Sequence, residues 1–272
     1  MEKQFKLLSI GAHPDDADTS CGGMLSKLHD AGWDIRLLSV TDGSAGTYRD
    51  TCEEELKLQR RSEAAASGRL IGARYDVMDY PDGRLEVTLA AREHLIRYIR
   101  RYRPDVIITN RPNDYHADHR NVALLVQDAS FLLTVPHICA DEPYMEHTPA
   151  ILFWRDGFQK PYPHQPDILV PISEARVDLE VKMACCHECQ YFDWMYWPDH
   201  TEKIGWTREE QIADLSARFH RIAKNKREKY DAIINEKFGA DASRVTTVDV
   251  FEISEYSGEI PEEFMRAALT VE

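Results

Sequence analysis

Apolar runs of strand length alternate with stretches of helical period along the first two thirds of the chain. Residues 5–10 form a short apolar run that closes on Gly11, the pattern of a buried strand. Residues 22–32 carry a helical pattern ended by Gly32, and 34–40 make the next apolar strand. The stretch 53–70 is rich in Glu, Leu, Arg and Ala and is stopped by Gly72, which predicts a helix. A short strand is expected at 75–78. In 88–103, Leu89, Leu95, Ile96 and Ile99 share one face and Pro104 follows, so an amphipathic helix is predicted. Strand 105–110, helix 119–133, strands 150–154 and 168–172, and helix 174–187 continue the pattern. Pro171 places the strand at 168–172 on a sheet edge or cuts it short.

This alternation predicts an α/β fold: a Rossmann-like, mainly parallel sheet with helices on both faces. In such sheets ligands bind outside the carboxyl ends of the strands, so the active site is expected there. The loops that matter are then 12–21, 41–52, 80–87 and 111–120. The last third is different. Residues 207–238 read as one long, strongly charged helix, 248–253 as a strand and 261–269 as a short helix. No internal repeat or low-complexity linker divides the chain. A single domain over 1–272 is expected, with 190–246 as a helical insertion or arm.

Charge narrows the partners. The chain carries 33 basic and 47 acidic residues, a formal charge of −14, which disfavours nucleic acid and anionic membrane surfaces. No run approaches the roughly 18 apolar residues that a membrane span needs. No basic segment followed by a long apolar core stands at the start, so a cytoplasmic location is expected. Of the six cysteines only Cys185, Cys186 and Cys189 cluster, and no second Cys/His group completes a tetrahedral metal set. Free thiols are expected. Homo-oligomerisation is left open.

The loop after the first strand reads Ala12-His13-Pro14-Asp15-Asp16-Ala17-Asp18. Zinc accepts imidazole nitrogen and carboxylate oxygen, and a catalytic zinc site keeps one position open for water. The spacing of His13 and Asp16 lets a turn aim both at one ion, and Asp15 between them can stay off the metal as a base. The loop after strand 105–110 reads Arg111-Pro112-Asn113-Asp114-Tyr115-His116-Ala117-Asp118-His119. His116 and His119, three apart at an expected helix start, share a face, so one can ligate while the other meets substrate. Alone, each motif is weak, since His-Pro-Asp-Asp is also an ordinary turn. Together on one rim of a parallel sheet they predict a metal site, provided their two strands are neighbours.

The segments Ala12-His13-Pro14-Asp15-Asp16 and Asn113-Asp114-Tyr115-His116-Ala117-Asp118-His119-Arg120 closely resemble the PIG-L/LmbE superfamily of zinc-dependent N-deacetylases. The resemblance runs over about residues 5–190. Arg60-Arg61-Ser62-Glu63 through Leu70-Ile71-Gly72 is similar to the family's Arg/Glu helix ending in Leu-Gly. Asp82-Gly83-Arg84-Leu85 is similar to its Asp-Gly loop, and Lys182 to Gln190, with His187, to its Lys…His-x-x-Gln helix. The resemblance implies that His13, Asp16 and His119 hold zinc, with Fe²⁺ suited to the same ligands. It implies that Asp15 is the general base and that His116 assists at the oxyanion and leaving group, oriented by Asp118. Arg60 and Asp82 match positions that bind glucosamine hydroxyls in the sugar deacetylases. The implied activity removes an acetyl group from the amide nitrogen of an N-acetyl amino sugar or its conjugate. The chain departs from the family pattern at Pro171 and Cys189, and nothing after about residue 190 matches it, which leaves the substrate open.

Other features carry plainer expectations. Tyr191, Phe192, Trp194, Tyr196 and Trp197 suit sugar stacking, but such clusters more often pack a core or a subunit contact. The basic run 218–229 is expected to be a solvated helix face, Arg155 to make a surface salt bridge by default or else to reach the site from the end of its strand, and His187 either to pack or to support the site. Two competing functions stand beside the deacetylase. One is a zinc esterase or amidase on a non-sugar substrate, whose residues would look identical. The other is a metal-site binding protein without turnover, against which the presence of both Asp15 and His116 argues. A dinucleotide-binding oxidoreductase is disfavoured, because the loop after the first strand lacks Gly-x-Gly-x-x-Gly.

Overall fold

The computed structural model describes residues 3–48, 51–196 and 205–272. β1 (Lys6–Gly11) lies inside the sheet, with Leu7 packed into one layer and Leu8 and Ile10 into the other. Burial on both faces is why the strand reads as a near-continuous apolar run. β2 (Asp34–Thr41) and β3 (Arg74–Tyr80) extend the sheet on one side. On the other side come β4 (Val106–Thr109), β5 (Ala150–Trp154), β7 (Thr247–Ile253) and β6 (Ile168–Ile172). The order is β3-β2-β1-β4-β5-β7-β6, with every pair from β3 to β5 parallel. The expected mainly parallel α/β sheet is therefore present. β7 is the one antiparallel strand among the described residues, set between β5 and β6. Pro171 sits on the edge strand β6, where its missing N–H costs no ladder bond.

Two helical layers cover the sheet. On one face α2 (Gly22–Asp30), α3 (Glu53–Leu70), α6 (Glu174–Cys186) and α9 (Glu262–Leu269) bury Met24, Leu25, Leu28, Ala64, Val177, Met183 and Phe264. On the other, α4 (Leu89–Tyr102) and α5 (Ala117–Leu132) bury Leu95, Ile96, Ile99, Val122, Leu125 and Val126. Of the apolar face read at 88–103, Leu95, Ile96 and Ile99 are buried, whereas Leu89 in the first turn is exposed.

Three departures from the sequence pattern matter. The loop 12–21 contains a single helical turn, α1 (Asp16–Thr19). Gly11 makes room for it, because a Cβ there would stand 2.6 Å from Asp16 Cβ and 2.9 Å from the Ala17 nitrogen. The helix expected at 207–238 is broken into α7 (Arg208–Lys229) and α8 (Asp231–Phe238). The break falls at Tyr230, which is buried with Ile234 against Leu169, Val248 and Val250, so the chain bends down onto β6 and β7. Finally, the basic run 218–229 is not wholly solvated: Ala223 is buried and Lys226 Nζ donates to Asp249 Oδ1 at 3.0 Å. No helix among the described residues is long and apolar enough to cross a membrane.

The sheet order creates the site. Chain leaving β1 passes to β2 on one side, whereas β4 lies on the other, so the loops after β1 and β4 part and open a crevice at their carboxyl ends.

Candidate metal centre and active site

The loops after β1 and β4 meet in that crevice. His13 Nδ1 lies 3.2 Å from His119 Nε2 and 3.5 Å from Asp16 Oδ2, and His119 Nε2 lies 3.3 Å from Asp16 Oδ2. Three donor atoms thus form a nearly equilateral triangle. Ligand atoms around a tetrahedral zinc at about 2.1 Å stand roughly 3.4 Å apart, so the set fits one divalent cation. Asp16 is aimed by its turn: Oδ2 accepts the backbone N–H groups of Ala12 at 3.0 Å and His13 at 2.9 Å. His116 also brings a ring nitrogen within ligand range of His13 and His119.

Each imidazole of the triangle has a carboxylate behind it. His13 Nε2 lies 3.1 Å from Asp82 Oδ1 and 3.4 Å from Asp118 Oδ2, and His119 Nδ1 lies 3.0 Å from Asp114 Oδ1. Carboxylates behind ligand histidines fix ring orientation and raise ligand basicity. Asp82 therefore faces His13, and its other oxygen accepts the Ala45 N–H at 3.2 Å. The Asp118 carboxylate is committed to the loop after β3, accepting from Gly83 N at 2.7 Å and Leu85 N at 3.2 Å. Gly83 has φ +76°, a conformation that L side chains rarely adopt. The part of Asp118 that orients His116 is its backbone N–H, which donates to His116 Nδ1 at 3.1 Å as the cap of α5. In the neutral ring that leaves Nε2 as the protonated, donating nitrogen.

Asp15 is buried outside the triangle. Its Oδ1 accepts from Arg60 Nη2 at 3.1 Å, and Arg60 Nη1 donates to Gln190 Oε1 at 3.2 Å. Arg60 is 2% exposed, so its guanidinium is occupied in holding Asp15 and Gln190. His187 lies in the layer behind: fully buried, with Nε2 2.7 Å from Asp18 Oδ2, to which Ser67 also donates.

The charges agree with a cation-binding cradle. Burial pulls the pKa of His13 down, but Asp118, Asp16 and Asp82 outweigh it and hold the ring well above its ordinary value. Burial likewise works against His119, and Asp16 and Asp114 raise it. Burial works against a charged Asp16 too, yet His119 and His13 keep its carboxyl below the usual range. Asp15 goes the other way: burial raises it, with Arg60 opposing. Burial also lowers His116, which favours the neutral ring.

Residues 8–130 match the family model for PIG-L, GlcNAc-PI de-N-acetylase. The diacetylchitobiose deacetylase of Thermococcus kodakarensis is 29% identical over 207 residues, 74% of this chain and 76% of that protein. The chain therefore resembles the PIG-L family over a little under half of its length. Two solved structures share its fold. The N,N'-diacetylchitobiose deacetylase of Pyrococcus horikoshii aligns at TM-score 0.69 and 24% identity, over 92% of this chain and 84% of that one. GalB, the 4-carboxy-2-hydroxymuconate hydratase of Pseudomonas putida, aligns at 0.71 and 18% identity, over 92% and 96%.

A cavity of about 770 Å³ opens beside the triangle. Asp16, His119, Asp114 and Tyr115 line one side, and residues 154–160 after β5 line the other. Arg155 is part of that wall, so of its two expected roles the structure agrees with the reach toward the site from the end of β5, and no surface ion pair forms among the described residues. The aromatic cluster divides. Tyr191 and Phe192 are buried, while Trp194 stacks on Tyr48 with ring centroids 4.4 Å apart. The Tyr196 side chain and Trp197 lie outside the described residues. Sequence reasoning gave no role to Asp114, although an Asp two residues before His116 is the spacing of a side chain that caps its own turn, and Asp114 Oδ1 accepts the His116 N–H at 2.9 Å. Apart from Arg155 it also missed the wall after β5, where no local motif gives a signal.

Proposed function

We propose that this chain is a metal-dependent hydrolase that removes the acetyl group from the amide nitrogen of an N-acetyl amino sugar or its conjugate. The observation that carries the reading is the triangle of His13 Nδ1, Asp16 Oδ2 and His119 Nε2 at the edge of the cavity. These three residues would hold the cation, and a zinc ion there would supply carbonyl polarisation and lower the pKa of a water to about 7. Asp15, kept in place by Arg60, takes the proton from that water. His116 donates through Nε2–H to the oxygen that gains charge as the amide carbon becomes tetrahedral. The proton held by Asp15 then passes to the departing nitrogen, because an amide anion is too basic to leave. Asp82, Asp118 and Asp114 keep the two ligand rings from turning.

The test is acetate release from N-acetylglucosamine and N,N'-diacetylchitobiose by protein of measured metal content. Turnover that rises with metal loading is expected. A metal-loaded protein that frees no acetate from any N-acetyl sugar overturns the reading.

The fold shared with the hydratase favours a second reading, water addition to an unsaturated carboxylate. Arg155 and Lys160 line the cavity without an ion pair among the described residues and suit a substrate carboxylate. Loss of ultraviolet absorbance from a conjugated unsaturated diacid, with no acetate from the sugars, would select it.

A further inference from the structure

Arg111 is fully buried directly after β4, at the start of the loop that carries His116 and His119. Its guanidinium is spent on holding other segments. Nε donates to Glu252 Oε2 of β7 at 3.1 Å, Nη1 meets the Asp156 carboxylate at 3.2 Å, and Nη2 donates to the Tyr162 carbonyl at 3.0 Å. The Tyr162 ring covers the guanidinium carbon at 4.6 Å. Asp156 passes the constraint on, because its Oδ1 accepts the Phe158 N–H at 2.7 Å and so shapes the turn that brings Phe158 to the cavity. A second tie comes from the same loop: Asn113 Nδ2 donates to the Lys160 carbonyl. The wall at 155–162 is otherwise mostly exposed chain.

A buried arginine between two carboxylates contributes little net stability, since desolvation offsets attraction; what it fixes is register. We propose that Arg111 is a positioning residue that clamps the 155–162 wall to the metal loop. It thereby sets how the enzyme receives whatever a substrate carries beyond its acetylated sugar. The proposal rests on the deacetylase reading. A monosaccharide fills the metal end of the cavity, whereas a longer saccharide reaches the wall, where Phe158 offers an aromatic face across from Tyr115.

The test compares wild type, R111K and the double variant R111M/E252Q, which removes Arg111 together with one of its two carboxylates and leaves the other, Asp156, without its partner. Each is assayed for acetate release from N-acetylglucosamine and N,N'-diacetylchitobiose, for metal content and for hydrogen exchange at 155–163. In the double variant KM for the disaccharide should rise about fivefold or more, with kcat for both sugars within about twofold and metal retained. Exchange at 155–163 should speed up while α4 and α5 keep their protection. R111K, which keeps the charge and loses the fork, should fall between. An equal fall in kcat for both sugars, or unchanged exchange in the wall, overturns the proposal. If the wild type releases acetate from neither sugar, the deacetylase reading fails separately. The clamp is then judged by exchange alone, and unchanged protection sinks it.

Discussion

Gly11 governs how close Asp16 can come to the end of β1. A methyl group there would meet Asp16 Cβ at 2.6 Å, so Gly11→Ala must push the α1 turn away and open the triangle. Reduced metal occupancy with an unchanged far-ultraviolet circular dichroism spectrum is the expected result, and full occupancy would show that the turn relaxes freely. Asp15→Asn keeps an oxygen for Arg60 but loses the basic site. It should retain metal and lose about 10²-fold or more in kcat, measured by acetate release. Type and spacing point to His13 and Asp16 as a pair and leave His116 and His119 interchangeable; the choice of His119 comes from the family resemblance, and the structure brings its Nε2 to the other two. The jobs of Arg60 and of the Asp118 carboxylate are not legible in the sequence, because each depends on a partner distant in sequence: Asp15 and Gln190 for the one, Gly83, Leu85 and His13 for the other.

Between elements, buried charges converge where α7 packs on α6 and β7, close to the start of α2. Glu180 Oε1 accepts the Gly23 N–H at 2.7 Å, Asp249 Oδ2 accepts the Met24 N–H at 3.1 Å, and Lys226 pairs with Asp249. One lysine faces two carboxylates. Burial, and then the charge of Asp249, push Glu180 up to about 8 from an ordinary 4.5. Between those values the folded chain keeps a proton that the unfolded chain releases, so folding stability falls as pH rises from about 4.5 to 8 and levels off above. Glu180→Gln keeps the acceptor for Gly23 and removes the titration. Denaturant midpoints from pH 5 to 8 should therefore fall more steeply for the wild type than for the variant; parallel curves would remove Glu180 from the account. At this scale the sequence was partly readable. Periodicity found the strands and long helices because their apolar faces are continuous. It ran α7 into α8 because the break at Tyr230 comes from burial against β6 and β7 rather than from a Gly or Pro.

For the whole molecule, alternation of strands and helices predicted the parallel sheet, but no local signal gives strand order. That β1 and β4 are neighbours, and that β7 turns antiparallel beside β5, follow from how three layers close on one another. The order has a thermodynamic consequence. A cation held by His13, Asp16 and His119 would join the ends of two strands that chain connectivity leaves far apart, and only the folded chain presents that set. Four carboxylates, from Asp16, Asp82, Asp114 and Asp118, crowd the His13 and His119 rings, and a divalent ion would relieve their repulsion. Binding confined to the folded state stabilises it by about 2.7 kcal/mol at free metal a hundredfold above Kd. For a chain of this length that is a rise in Tm of roughly 5 °C or more. Metal-stripped protein titrated with zinc should show the rise and a chelator should reverse it, while His119→Ala should show neither. Equal shifts in wild type and variant would mean that the ion binds elsewhere, and the triangle would lose its claim to the metal.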